Sequence, residues 1–215
     1  SVAEGFERVL HLRTALLPGG DAAARHPVQC AAGFLSQIDG LPDLGLPERY
    51  HRALDIARRR IRTFETTSMG RLFDTAAALL GFTREITFEA QAAMWLEHLA
   101  QGAPPGCVYP FPMEGGELDY RPLLTALIED RAAGRDRAGI ARAFHRGIAD
   151  GMLRASSMLC EAHSVDTVVV SGGVFQNSLL LEELVAAPFE VWTNRAVPPN
   201  DGGISLGQAA LGCFV

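Results

Sequence analysis

Residues 168–170 are three consecutive valines, an unbroken β-branched run of the kind a strand with both faces buried requires. Ser171, Gly172 and Gly173 interrupt that run, and a helix-compatible segment, 176–185, follows directly. The pattern then repeats. Residues 189–193 read as a second short strand, Pro198 and Pro199 stop it, and Asn200-Asp201-Gly202-Gly203 makes a turn ahead of the apolar segment 204–211. Two successive strand–turn–helix units predict two parallel strands. The glycine turn and the carboxylate turn then lie together at the carboxyl edge, where open α/β sheets bind ligands. Paired glycines admit two readings here: a tight turn, or a loop whose backbone N–H groups approach an anionic group at a helix N-terminus.

Upstream, the periodicity is mostly helical. Residues 9–12 suggest a short strand, and Pro18-Gly19-Gly20-Asp21 a turn with Asp21 as cap of a helix over 22–38, which Pro27 either joins early or splits. Residues 39–47 are a loop. A helix over 48–62 carries the apolar stripe Tyr50, Leu54, Ala57 and Ile61, and ends in Arg58, Arg59, Arg60 and Arg62, either a solvated helix end or a phosphate contact. Thr66, Thr67 and Ser68 are expected to cap a helix that runs to Gly81. Within it, Gly70 and Asp74 share one face. That face suits a ligand hydroxyl, or equally close helix packing with Asp74 in an ion pair. Further helices are expected over 86–101, with Met94, Leu96 and Leu99 in the core and His98 at the surface or satisfied internally, over 123–131, and over 136–163. The glycine- and proline-rich stretch 101–116 is the best internal boundary.

Composition narrows the chemistry. The chain has 215 residues, a formal charge of −6 and 19 basic residues, all of them arginine. The absence of lysine removes a Walker loop, a pyridoxal Schiff base and a lysine nucleophile from this chain. The negative charge argues against nucleic acid or an anionic membrane as partner, and no apolar run is long enough to span a bilayer. Cys30, Cys107, Cys160 and Cys213 are scattered, which predicts reduced thiols in a cytoplasmic protein. Cys160 and His163 have metal-ligand spacing but no second pair. The chain begins with Ser1, so a piece of a longer protein is expected.

Several stretches together carry a resemblance: LLPGGDAAARHP (16–27), TTSMGRLFDTAAALLG (66–81), FEAQAAMWLEHLA (88–100), VVVSGGVFQNSLLLEEL (168–184) and VPPNDGGISLGQAALG (197–212). They resemble, in order and across nearly the whole chain, the hydrogenase-maturation carbamoyltransferase family HypF, in the C-terminal part of its Kae1-like carbamoyl-transfer domain. The resemblance implies an α/β fold, part of an actin, chaperone and sugar-kinase-like (RNase H-like) nucleotide-binding domain with a large helical portion. Residues 1–134 would form a mainly helical subregion and 135–215 a strand–loop–helix lobe for nucleotide and metal. It implies ATP and a carbamoyl-adenylate made from carbamoyl phosphate, together with a divalent metal (magnesium, zinc or iron). The acceptor would be the C-terminal cysteine of a HypE-type partner, whose carbamoyl group becomes the cyanide of [NiFe] hydrogenase. An antibiotic-type hydroxyl acceptor, or an inactive docking fragment, are the alternatives. By position, Gly172, Gly173 and Asn177 match the family's nucleotide loop, Gly70 and Asp74 its ribose and adenosine contacts, Asp201 its metal carboxylate, and Arg71 a catalytic candidate near phosphate or a structural carboxylate. Ala90 departs from the family's Glu-Gly-Gln. The family's H-x-x-x-H metal pair and D-G-T-G phosphate loop do not occur here and are expected in upstream domains of the same protein. An exposed sheet edge at 168–170 would count against the resemblance.

Overall fold

The structure, a computed structural model, describes residues 5–213. The first half comprises β1 (His11–Leu12), β2 (Ala15–Pro18), α1 (Asp21–Arg25), α2 (Pro27–Leu35), α3 (Glu48–Arg58), β3 (Thr63–Thr66), α4 (Met69–Leu79) and α5 (Gln91–Gln101). Then follow β4 (Met113–Glu114), β5 (Glu117–Leu118), α6 (Tyr120–Ala132), α7 (Arg137–His163), β6 (Thr167–Val170), α8 (Ser178–Val185), β7 (Glu190–Thr193) and α9 (Ile204–Leu211). Among the described residues three small sheets result: β1-β5-β4, β2-β3 and β6-β7. Gly115 and Gly116, at φ 58° and 82°, make the two-residue turn that folds β4 back on β5.

Helix α2 is the centre of the helical portion and packs on β2, α3 and α4. Eight of its nine residues are buried, so it reads as apolar all round rather than as a stripe. Its backbone lies directly on β2: a Cβ placed on Gly33 would come 1.7 Å from the Leu16 carbonyl oxygen. The long helix α7 starts where Asp136 accepts from Gly139 N at 3.0 Å and ends at Ser164 in the left-handed region, φ 54°. It packs against α5, α6 and α8. One buried cluster extends from Leu12 to Leu180, so the core is continuous across the 101–116 boundary.

Several sequence expectations need correction. Of the two outcomes left open for Pro27, it splits the 22–38 helix, which ends at Leu35: His26 is extended, φ −126°, as a residue before proline prefers. The helix over 48–62 stops at Arg58, because the chain must reverse to pair β3 antiparallel with β2. Arg60 and Arg62 take left-handed conformations in that reversal, and Ile61 points to solvent, outside the apolar stripe. Ser68 occupies the cap position of α4 without a side-chain cap bond. Of 9–12, only His11 and Leu12 are strand, and they find a partner in β5. Met94 is 57% exposed rather than core. Val169 is 66% exposed, so β6 has one open face. Helix α7 packs on β6, and its sheet has only two strands among the described residues.

Helix α5 begins at Gln91 instead of 86, and the reason lies in Ala90. This residue sits at φ 60°, ψ 10°, where a Cβ costs about 1–2 kcal/mol. Ala90→Gly should therefore raise stability by about 1 kcal/mol, read as a shift in the urea unfolding midpoint. An unchanged or lower midpoint would contradict the strain.

Candidate functional site: a glycine turn beside a carboxylate turn

Strands β6 and β7 pair in parallel, Thr167 with Glu190 through Val170 with Thr193. Their carboxyl ends therefore deliver two turns to the same edge, as the sequence pattern requires. The two turns touch. Gly172 N donates to Pro199 O at 2.6 Å, and Ser171 Oγ to the same carbonyl at 3.5 Å. Gly173–Gln176 forms a single 3₁₀ turn, and Asp201–Gly203 another, with Asp201 exposed.

Counting donors shows where an anion could sit. Phe175 N donates to Gly172 O and Asn177 N to Val174 O. Among the described residues this leaves the Gly173 and Val174 amides open at the mouth of the turn. The N-terminus of α8 is not open. Asn177 Oδ1 accepts from Leu180 N at 3.1 Å, and Glu97 of α5 accepts from Ser178 N at 2.8 Å and Ser178 Oγ at 2.6 Å. A carboxylate already fills the position where the sequence suggested an anion at a helix start. Glu97 is 81 residues from Ser178, and no local sequence signal joins them.

The paired glycines turn out to differ. Gly172 stands at φ 101°, which L side chains rarely adopt, so the turn itself explains it. Gly173 has no such φ. A Cβ there would meet nothing nearer than Asn200 Cβ at 3.9 Å and Gln176 Oε1 at 4.0 Å. Neither strain nor internal crowding calls for glycine at 173. Gly70, in the first turn of α4, is similar: its added Cβ would meet only Ser68 Oγ, at 3.6 Å.

Asp74 and Arg71 face elsewhere. Asp74 is 2% exposed, and its Oδ2 lies 2.8 Å from Arg71 Nη1. Arg71 Nη1 also donates to Ala24 O at 3.0 Å. Of the two readings open at the sequence level for Asp74, the ion pair is what the structure contains. Burial pushes the Asp74 pKa up to about 6, with the Arg71 charge opposing, and burial pushes the adjoining Cys30 thiol up to about 12. Because folding raises the Asp74 pKa from 3.8, the native state favours its protonated form. Stability is fully present below pH 3.8 and falls as pH rises to about 6. Against Asp74→Asn, the wild type should lose roughly 2–3 kcal/mol over that window, measured by denaturant unfolding at each pH. A pH-independent difference would remove the assignment.

Asp201 belongs to no metal cluster: the described residues contain no group of three His, Cys, Asp or Glu able to hold an ion. Cys160 and His163 end α7 without a third ligand, and one carboxylate does not make a divalent-metal centre. The described residues alone do not fit a metal. The structure thus brings Gly172, Gly173, Asn177 and Asp201 to one edge, with α4 packed on the Gly173–Gln176 turn. Arg71 instead binds the α1 carbonyl of Ala24 and holds Asp74 beside it.

Two parallel strands whose turns meet at one edge, backed by a helical core, define a mixed α/β domain. The chain belongs to the family described as carbamoyltransferase, Kae1-like domain, second subdomain, whose model matches residues 2–208. It is 38% identical over 217 residues to carbamoyltransferase HypF of Rhodobacter capsulatus, a match covering 97% of this chain and 28% of that protein. A carbamoyltransferase HypF homolog of Cupriavidus necator is 34% identical over 222 residues, covering 94% of this chain and 56% of that protein. A crystal structure of full-length HypF in the phosphate- and nucleotide-bound form superposes with a TM-score of 0.87 at 34% identity, over 97% of this chain and 29% of that one. The crystal structure of T. kodakarensis HypF gives 0.87 at 26% identity, over 97% and 30%. The chain therefore spans about half of one relative and under a third of the others. With β7 its one partner among the described residues, β6 is an edge strand, the arrangement expected to count against the resemblance; the family match over residues 2–208 stands all the same.

Proposed function

We propose that this chain is the C-terminal part of a carbamoyltransferase of [NiFe] hydrogenase maturation, active as part of a longer protein. Residues 135–215 would supply the nucleotide lobe, and the helical subregion 1–134 would support it. In this reading a carbamoyl-adenylate, formed from carbamoyl phosphate and ATP, places its phosphate against the Gly173 and Val174 amides. The terminal cysteine thiolate of a HypE-type acceptor attacks the carbamoyl carbon. A C–S bond forms, the C–O bond to phosphate breaks, and AMP leaves with the negative charge that those amides hold.

The observation that carries this reading is Gly173, a glycine whose backbone and neighbours allow a side chain. That space leaves its backbone open to the close approach of a ligand. Gly70 offers a second open approach, on α4. Asp74 would accept ribose hydroxyls only after exchanging its Arg71 partner, and Arg71 reaches phosphate only by the same exchange. Asp201 could give one oxygen to magnesium, zinc or iron, and the remaining ligands would have to come from outside the described residues.

The test is carbamoylation of the acceptor's terminal cysteine, followed by mass. The full-length protein should transfer the group, while the isolated chain and full-length Gly173→Val should not. Transfer by the isolated chain would overturn the partial-site reading. Transfer to a small-molecule hydroxyl in place of the thiol would favour the antibiotic-type alternative.

A further inference from the structure

His145 lies in the N-terminal third of α7 and is 1% exposed, its ring edge-on to Phe73 of α4 at 5.3 Å and to Phe144 at 6.0 Å. Such a ring is ordinarily a satisfied core residue. Its partners set it apart. Nδ1 lies 2.8 Å from the Ala141 carbonyl, so Nδ1 carries the hydrogen. Nε2 lies 3.0 Å from Asn177 Nδ2. The direction of that amide is fixed independently, because its oxygen accepts from Leu180 N at 3.1 Å. The Asn177 nitrogen therefore donates to a bare Nε2, and only the neutral Nδ1–H tautomer satisfies every atom. Burial, which pushes the His145 pKa down to about 4, keeps the ring neutral at pH 7.

Asn177 is in turn joined to the ligand turn by its own backbone. Its N–H donates to Val174 O at 3.1 Å and closes the 3₁₀ turn that presents Gly173. Its side chain caps α8. We propose that His145 is a positioning residue: it holds Asn177, and Asn177 holds both the first turn of α8 and the Gly173–Gln176 turn that receives the ligand. The hydrogen bonds of Glu97 to Ser178 brace the same corner from α5. Asn177 then serves the site from beneath rather than by touching ligand, and the brace spans α4, α7 and α8. This inference rests on the nucleotide reading above.

The experiment uses the full-length protein, ATP as probe, and hydrogen–deuterium exchange read on the peptide covering 172–180, which separates this site from any other that binds ATP. In the wild type, ATP slows exchange there. His145→Leu keeps apolar volume but removes the acceptor. Exchange without ATP should rise at least about tenfold, and the ATP concentration for half-protection by a similar factor. His145→Gln offers Oε1 to Asn177 and should stay within about threefold of wild type on both readouts. A merely structural histidine would lower the melting temperature and leave half-protection unchanged, which overturns the proposal. Absence of ATP protection in the wild type overturns the nucleotide reading and takes the proposal with it; protection equal in wild type and His145→Leu overturns the proposal alone. Should His145→Leu not fold, the imidazole ¹⁵N shifts of the wild type decide: a protonated Nδ1 and bare Nε2 at pH 7 uphold the brace, and the opposite tautomer ends it.

Discussion

Gly33→Ala is expected to destabilise the protein by about 3 kcal/mol or more, the upper range for overpacking. The added carbon would fall 1.7 Å from Leu16 O and 2.8 Å from Leu16 C, and both atoms are backbone. Neither side can yield cheaply. Leu16 is held in register with Glu65 across β2-β3, and α2 is buried on nearly every face. Relief requires sliding α2 off β2, which opens the centre of the core. For a chain of this size the change corresponds to roughly 6–12 °C in Tm. Gly207, whose Cβ would meet nothing within 4 Å on α9, is the matched control, and Gly207→Ala should be neutral or stabilising by up to about 1 kcal/mol. Equal effects at the two positions would contradict the packing account.

Gly173→Val should leave the fold intact and remove the ligand. Its nearest internal neighbours, 3.9 Å and 4.0 Å from the Cβ position, tolerate a side chain. Unfolding midpoints should match the wild type within about 0.5 kcal/mol. Binding should not match. A valine at the mouth of the turn holds phosphate away from two amides, each charge-assisted bond being worth about 1.5–3 kcal/mol. The adenylate affinity of the site should therefore fall about a hundredfold or more. Gly172→Val is the contrasting variant: with φ at 101°, it should destabilise the turn even without ligand.

Elements set by local pattern were legible in the sequence. The valine run, the paired glycines and the double proline placed β6, β7 and their turns on one edge, and Asp136 marked the start of α7. Elements set by distant partners were not. Strand β3 carries Phe64 and Glu65 to solvent and becomes a strand through pairing with β2. Three helices separate the two strands in the chain, and no periodicity encodes a contact across a loop of that length. Gly33 looks like an ordinary helix glycine until Leu16 is set against it. The candidate site divides in the same way. Gly172 and Gly173 were readable as a pair, but their different reasons for being glycine needed φ and neighbours. An ion pair at Asp74 was one of two readings that helix spacing left open, and the structure supplies Arg71 as its partner. Glu97 and His145, which secure the corner around Asn177, come from α5 and α7, and only the packed structure brings them there.

The most direct test of the central claim is a crystal structure of the full-length protein with a non-reactive carbamoyl-adenylate analogue. A phosphate oxygen should lie about 3 Å from the Gly173 and Val174 amide nitrogens, with Asn177 still bonded to His145. A phosphate bound away from the 172–174 turn, with those amides left to solvent, would contradict the account.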